Sequence, residues 1–185
     1  GDGEKVVGML TLPAPDEGPG TPEQPASQTS MDFLKSAKKS KKSEGNDSEF
    51  LVVSANGFGF RFPLSNLGET TRSGRKIMSL KNDDSMIGFA PVTHNHVFLA
   101  TEKGKAVVIA TEQIAQLTGS GKGVILMKPG ESRLAGFKLV NLKDKVTLVF
   151  DSGKDKQITV KSVRLCNRGS QGVIVSKRKT ILKIK

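Results

Sequence analysis

A repeat of about 48 residues constrains the fold of this chain more than any other feature of its sequence. A run of strand-forming residues that ends in a turn glycine occurs three times, at Phe50–Gly57, Val97–Gly104 and Val146–Gly153. These turn glycines stand 47 and then 49 positions apart. A second feature recurs in the same order, because Gly123–Ile125 is matched by Gly172–Ile174. Self-similarity at such a period is typical of arrays in which each repeat buries its apolar surface against its neighbours.

Within each repeat the apolar residues follow the two-residue period of β-strands. Phenylalanine alternates with other residues through Phe58–Phe62, and Ile158 and Val160 alternate with polar neighbours. Three glycine dipeptides fall between two such runs, as hairpin turns do: Asn56-Gly57, Lys103-Gly104 and Ser152-Gly153. A unit of this length holds four short strands. We therefore predict an all-β, propeller-like array of about three to four four-stranded blades, open or partial.

The repeats divide the chain into five parts. Val7–Met9 matches Ile87–Phe89, but the two lie further apart than one period, so an insertion separates them. The intervening stretch is rich in Pro, Gly, Ser and Lys and lacks apolar periodicity, which predicts a flexible linker. The predicted parts are the end of a preceding blade at 1–12, an insertion at 13–48, and blades at 49–96, 97–145 and 146–185.

The net charge of the chain predicts a polyanionic partner. Lys and Arg number 29 against 18 Asp and Glu, which gives a formal charge of +11. No apolar run is long enough to cross a membrane, and residues 1–12 do not have the pattern of a signal peptide. The single cysteine, Cys166, suits a reducing compartment, so we expect a cytoplasmic protein without a membrane partner.

No pattern in the sequence predicts catalysis, a metal or a cofactor. Gly119–Gly123 resembles a phosphate-binding loop but lacks its first glycine and its final Ser or Thr, and a strand is predicted to follow it. His94 and His96 are the only histidines and lie far from Cys166 in sequence, so His and Cys alone cannot complete a zinc site. We expect no enzyme activity and no cofactor in this chain.

Two segments that recur in the repeat carry a family resemblance. Phe50–Phe60 followed by Arg72–Lys76 resembles a blade of the β-pinwheel at the C-terminus of the A subunit of type IIA topoisomerases. The resemblance extends over about residues 1–12 and 49–185. The gyrase A subunit carries a Gln-Arg-Arg-Gly-Gly-Arg/Lys-Gly box, whereas the matching stretches here are degenerate: Arg72–Lys76, Thr118–Gly123 and Asn167–Gly172. The A subunit of topoisomerase IV has such degenerate boxes and is favoured, while gyrase A stays open because an intact box could lie upstream.

The resemblance implies a β-pinwheel that binds and bends duplex DNA along a basic outer rim and presents it for strand passage. It also implies attachment to the remainder of the A subunit, association through it with the ATPase subunit, and a place in the bacterial nucleoid. Strand cleavage in this family uses a tyrosine, and the chain contains none. The resemblance therefore implies a non-catalytic, accessory domain.

Cations recur at equivalent points of the repeats, after the first strand and before the Gly-Val-Ile strand. A regular track of positive charge suits a curved phosphate backbone, so these residues are the predicted DNA contacts. They are Arg61, Arg72, Arg75, Lys76, Lys103, Lys105, Lys122, Lys154, Lys156 and Arg168.

Two alternatives to this interpretation remain at the level of the sequence. The first alternative is a DNA-wrapping domain of gyrase A, and the second is a basic, propeller-like module that docks onto an acidic protein. The lysines of 13–48 fit a solvated linker and also an arm that contacts DNA.

Overall fold

The computed structural model describes residues 48–67, 75–81 and 83–185. The predicted blade end at 1–12 and all but the last residue of the predicted insertion at 13–48 lie outside these ranges. Short 3₁₀ turns at Leu64–Leu67, Thr111–Gln113 and Val160–Ser162 follow three of the strands. The strands of the described residues are β1 Glu49–Ser54, β2 Phe58–Pro63, β3 Met86–Pro91, β4 His96–Thr101, β5 Lys105–Ala110, β6 Val124–Ile125, β7 Leu134–Val140, β8 Lys145–Phe150, β9 Asp155–Thr159, β10 Val173–Ile174 and β11 Ile181–Ile184.

These strands form three antiparallel sheets, which confirms the predicted all-β class. The first sheet has the order β3-β1-β2-β6, and the second has the order β7-β4-β5-β10. The third sheet contains β11-β8-β9 among the described residues. A tight hairpin forms part of each sheet. The hairpins β1-β2 and β4-β5 are the two middle strands of the first and second sheets, and the hairpin β8-β9 pairs with β11 in the third.

The hairpins form where the sequence places a glycine after the first strand. Gly57 and Gly104 have φ of +83° and +80°, a region that residues with a Cβ adopt only at a cost in free energy. A hydroxyl closes each of these turns, because Ser54 Oγ accepts a hydrogen bond from the Phe58 N–H and Thr101 Oγ1 accepts one from the Lys105 N–H. The turn chemistry therefore sets the register of both hairpins.

Each of the first two sheets takes its edge strand from the next repeat along the chain. β6 pairs with β2 through Phe58 and Gly59, and β10 pairs with β5 through Lys105 and Ala106. A sheet and a sequence repeat are thus different units of this fold. The boundaries 49–96, 97–145 and 146–185 are those of the sequence repeats. That they are also the boundaries of the blades stays a prediction.

The core consists of apolar layers, of which two lie between successive sheets. Leu51 and Val53 of the first sheet pack with Leu99 and Val107 of the second. The opposite face of the second sheet, including Phe98, packs against the third sheet in a cluster with Val146, Leu148 and Phe150. A further cluster covers the other face of the first sheet. The middle sheet is buried on both faces, which explains why Val97–Ala100 forms an unbroken apolar run with 0% exposure.

Candidate nucleic-acid interface

The glycine-rich segment before β6 lies beside two predicted cations of the first repeat. Its backbone lies along the preceding repeat, where the Ser79 N–H donates to the Gly121 carbonyl over 2.9 Å. Arg75 and Lys76 are exposed and line a shallow pocket whose far wall is Thr118–Ser120. The Arg75 guanidinium donates a hydrogen bond to the Asn66 carbonyl. Two predicted cations of one repeat therefore lie beside the glycine-rich segment of the next.

Lys122 sits on this glycine-rich segment with its stem partly buried. Its Nζ lies 3.8 Å from the centre of the Phe58 ring, in a cation–π contact that fixes the direction of the side chain. The next residue, Gly123, has φ of +76°, and a Cβ there would come 2.4 Å from the Gly59 carbonyl oxygen. The glycine thus lets the segment approach β2 closely enough to place Lys122 at the sheet edge. The strand β6 follows it, whereas a phosphate-binding loop would lead into a helix.

Arg168 lies in the equivalent segment before β10. Its side chain is exposed, and its backbone N–H donates to the Gln113 Oε1 over 2.8 Å, which ties the segment to the 3₁₀ turn that follows β5. Lys122 and Arg168 lie on the segments that precede the exchanged strands β6 and β10, and Arg75 and Lys76 lie on the corresponding segment of the first repeat, before Ile77. We call these four residues the basic edge.

Three other predicted contacts have different surroundings. Arg61 is partly buried, with its guanidinium 2.7 Å from the Glu49 carboxylate and its Nε donating to the Ile114 carbonyl. Lys103 lies 3.7 Å from Glu131 across an exposed turn, and Lys105 is partly buried at the start of β5. Their role as DNA contacts stays a prediction. Arg72, the remaining member of the first repeat's set, lies outside the described residues.

Lys154 and Lys156 line a pocket of about 520 Å³ together with residues 175–179, and we call this pocket the third-sheet groove. Three of its cations, Lys177, Arg178 and Lys179, were not among the predicted contacts. Lys177 corresponds to Lys128 and Lys81, 49 and then 47 positions earlier, whereas Arg178 and Lys179 correspond to Pro129 and Gly130, so the recurrence of cations does not identify all three. The signal that identifies them is the run of three consecutive basic residues itself.

Most of the described cations have no acidic partner. Within 48–67, 75–81 and 83–185, ion pairs join Arg61 to Glu49, Lys103 to Glu131 and Lys185 to Asp155. The other Lys and Arg side chains of these ranges lie more than 4.0 Å from every described carboxylate. The described surface thus carries an excess of uncompensated positive charge, which attracts phosphate backbones through the release of condensed counterions.

The described residues contain no cluster of three or more His, Cys, Asp or Glu side chains arranged for a metal ion. His94 instead shares a hydrogen bond of 2.7 Å with the neighbouring Thr93 hydroxyl at an exposed turn. Cys166 is partly buried, with its Sγ 3.5 Å from the Arg164 carbonyl. In the same ranges, no helix has the length and apolar character needed to span a membrane.

Strand-exchanged sheets in a propeller-like array, with uncompensated cations beside the exchanged strands, define a class of basic β-propeller modules. Comparison with known proteins narrows this class. The family model described as the DNA gyrase C-terminal domain, beta-propeller, matches residues 48–93, 95–150 and 151–180. The chain belongs to this family.

Among the curated relatives are an A subunit of DNA gyrase and an A subunit of DNA topoisomerase IV, the two enzymes that the sequence resemblance suggested. The DNA gyrase A subunit of Lawsonia intracellularis is 28% identical over 130 residues, a match that covers 68% of this chain and 16% of the relative. The DNA topoisomerase 4 A subunit of Streptococcus pyogenes is 26% identical over 155 residues, which covers 69% of this chain and 19% of the relative. The chain thus spans less than a fifth of the length of either protein.

A solved structure described as the C-terminal domain of DNA topoisomerase IV has the same fold. It superposes with a TM-score of 0.67 at 20% identity, over 75% of this chain and 46% of that one. The predicted resemblance and the β-pinwheel architecture are therefore confirmed.

Proposed function

We propose that this chain is a non-catalytic domain from the A subunit of a type IIA topoisomerase, and that it binds and bends duplex DNA. The observation that carries the proposal is the basic edge, because exposed and half-buried cations lie on the segments that precede the exchanged strands of two successive sheets, in a chain of the gyrase C-terminal family. Duplex DNA held along this edge would be presented to the rest of the enzyme for strand passage.

The chemistry of the basic edge favours contacts to the DNA backbone over contacts to bases. The described residues offer strands and turns rather than a helix for the major groove, and their phenylalanines lie largely within the sheets and their clusters. Lysine and arginine at successive sheets would meet phosphates at intervals along a curved path. Bending a site of about 20–30 base pairs by 40–90° costs roughly 1–6 kcal/mol, which several phosphate contacts can offset.

The partners in this proposal follow from the chain's place in a larger protein. The chain would be joined to the remainder of the A subunit, through which it would work with the ATPase subunit. The whole enzyme would act in the bacterial cytoplasm on nucleoid DNA.

Topoisomerase IV is the favoured enzyme, and gyrase is the second candidate. The degenerate boxes, such as Thr118–Gly123, support topoisomerase IV, since the regular gyrase box is absent from this sequence. The name of the family model and the match to a gyrase A subunit support the second candidate. The two differ in function: the gyrase domain would wrap DNA with a fixed handedness, whereas the topoisomerase IV domain would bend it.

The first test measures the affinity for linear duplexes of about 20 to 150 base pairs as a function of salt, up to roughly one persistence length of DNA. The edge variant carries Arg75→Ala, Lys122→Ala and Arg168→Ala. We expect a steep log–log salt dependence in the native chain and a slope smaller by about 0.9 for each phosphate that the variant no longer neutralises. Longer or pre-bent duplexes should bind more tightly than short straight ones.

The matched control removes the same charge away from the basic edge, through Lys138→Ala, Lys143→Ala and Lys145→Ala, which are all exposed. An equal loss of affinity in both variants would mean that net charge, rather than the basic edge, determines binding. Negligible DNA binding at low salt would overturn the proposal in favour of an acidic protein partner. Closing a nicked circle in the presence of the protein distinguishes wrapping, which changes the linking number, from bending, which leaves it unchanged.

A further inference from the structure

The three sheets differ at one equivalent place, the edge of the hairpin's second strand. In the first sheet β6 covers the edge of β2, and in the second β10 covers the edge of β5. The corresponding strand of the third sheet, β9, pairs only with β8 among the described residues. The third-sheet groove lies along this edge.

The groove occupies the position that an incoming strand takes in the second sheet. There the incoming segment lies between β5 and the preceding exchanged segment, since Met127 bridges to Ser170 and the Gly169 N–H donates to the Leu126 carbonyl over 2.7 Å. One period of 49 residues later, Val175 takes the place of Leu126. Val175 lines the groove opposite β9, so the groove is the third copy of the strand-binding site.

The strand-binding site of the third sheet has a polar side chain at a position where that of the second sheet has an apolar one. Val107, on the strand β5 that receives the incoming strand, is fully buried. Lys156 stands at the equivalent position of β9, and its Nζ donates a hydrogen bond of 3.2 Å to the Val175 carbonyl. The Lys156 ammonium therefore donates to the Val175 carbonyl oxygen, to which the backbone N–H of an incoming strand would otherwise donate. A lysine on an edge strand also disfavours pairing with a further strand.

The charge of the groove is strongly unbalanced. Among the described residues that line it, Asp155 alone carries a carboxylate, and this carboxylate lies 3.5 Å from Lys185, outside the lining. The Lys179 Nζ lies 5.7 Å from the centre of the Phe150 ring on the groove wall, a contact that orients this side chain. The groove thus offers many hydrogen-bond donors and little negative charge, which is the environment that phosphate oxygens require. The cations that line it are Lys154, Lys156, Lys177, Arg178 and Lys179.

We propose that the third-sheet groove is a strand-binding site converted to bind phosphate, and that it anchors the backbone of duplex DNA. That the phosphate belongs to DNA, rather than to another ligand, rests on the proposed function. The groove adds to the basic edge a concave site with a larger number of cations, so it would hold one stretch of the DNA backbone more tightly than the edge holds the rest.

The test compares two variants of equal charge by DNA affinity and its dependence on salt. The groove variant carries Lys154→Gln, Lys177→Gln and Arg178→Gln, which leaves Lys156 and Lys179 to keep their contacts with Val175 and Phe150. The control carries Lys138→Gln, Lys143→Gln and Lys145→Gln. We expect the groove variant to lose about tenfold or more in affinity at moderate salt and its slope to fall by about 2 to 3, whereas the control changes little. Unchanged thermal unfolding of both variants shows that the fold is kept.

An amide-resolved NMR titration locates the ligand and separates three probes. Duplex DNA and inorganic tripolyphosphate should both shift the amides of 154–156 and 175–179, and both effects should weaken as salt rises. The third probe is a peptide with the sequence of 168–177, which contains the strand that fills the second sheet's site. Saturable binding of this peptide that persists at high salt, with no DNA shift in the groove, would overturn the proposal and make the groove a strand acceptor.

The remaining outcomes distinguish this proposal from the proposed function. If tripolyphosphate binds the groove and DNA binds nowhere on the chain, phosphate binding stands and the DNA function fails. If DNA binds with equal affinity to the groove variant and the native chain, the DNA function stands and the groove is not its anchor.

Discussion

The second and third sheets have the same hairpin at their centre but very different surroundings. In β5 the residues Ala106–Ile109 are all fully buried, because the first sheet covers one face and the third covers the other. In β9 only Ile158 is even partly buried, and its neighbours along the strand are exposed. A repeat in sequence therefore preserves the strand and its turn, while the side chains of each copy follow the layers that pack on it.

The first prediction exchanges the residues that distinguish these two sheets. Val107→Lys places an ammonium in the layer between the first and second sheets, among apolar side chains such as Leu51 and Val53. An uncompensated buried charge costs about 3–5 kcal/mol, so we expect the variant to be largely destabilised. Denaturant unfolding of the native chain and the variant measures the difference. A loss below about 1 kcal/mol would mean that the β5 position is as accessible as its counterpart in β9.

The second prediction concerns the turn glycines of the two sheets. A Cβ at Gly104 would come 2.1 Å from the Ser176 carbonyl oxygen, whereas a Cβ at Gly153 would meet no atom within 4 Å. Both glycines have positive φ, which costs an alanine about 1–2 kcal/mol. We expect Gly153→Ala to show only this conformational cost and Gly104→Ala to exceed it by a further 1–2 kcal/mol or so, because the exchanged segment must move.

Thermal and denaturant unfolding of both alanine variants measure this difference, with Gly153→Asn as the control, since asparagine tolerates a positive φ. Equal costs at the two glycines would contradict the close approach of the exchanged segment in the second sheet.

The smallest effect is expected for the reverse exchange, Lys156→Val. The lysine is exposed and its contribution to stability is one hydrogen bond to a carbonyl at the surface. Removing it should change the free energy of unfolding by less than about 1 kcal/mol. A loss as large as that of Val107→Lys would show that Lys156 holds the third sheet together, and the two sheets would then be more alike than their burial indicates.

Much of the architecture could be predicted from the sequence because local chemistry determines it. Hairpin glycines and the two-residue period identify the hairpin strands of the repeats, and the all-β class follows from them. The exchange of edge strands could not be predicted, since Val124–Ile125 is too short to show which sheet it joins. That pairing depends on the close approach of backbones at Gly59 and Gly123, which only the folded chain reveals.

The candidate interface was predictable only where cations recur with the repeat. Arg75, Lys122 and Arg168 were predicted in this way, and their role as DNA contacts stays a prediction. Arg61 fits the same pattern, yet its guanidinium forms an ion pair with Glu49 and donates a hydrogen bond to the Ile114 carbonyl. Arg178 and Lys179 have no cationic counterparts in the other repeats. The proximity of Lys177–Lys179 to Lys154 depends on the return of the chain from β10 to β11.

The exchange of edge strands also limits how such a chain can gain or lose repeats during evolution. A deletion of one whole period, starting at any point, joins equivalent positions, so each exchanged strand that remains still meets a hairpin of the correct type. A deletion that follows the borders of one sheet would instead remove a strand and leave its former neighbour with an unpaired backbone edge. Gene rearrangements that survive selection should therefore keep the period of the repeat and disregard the outlines of the sheets.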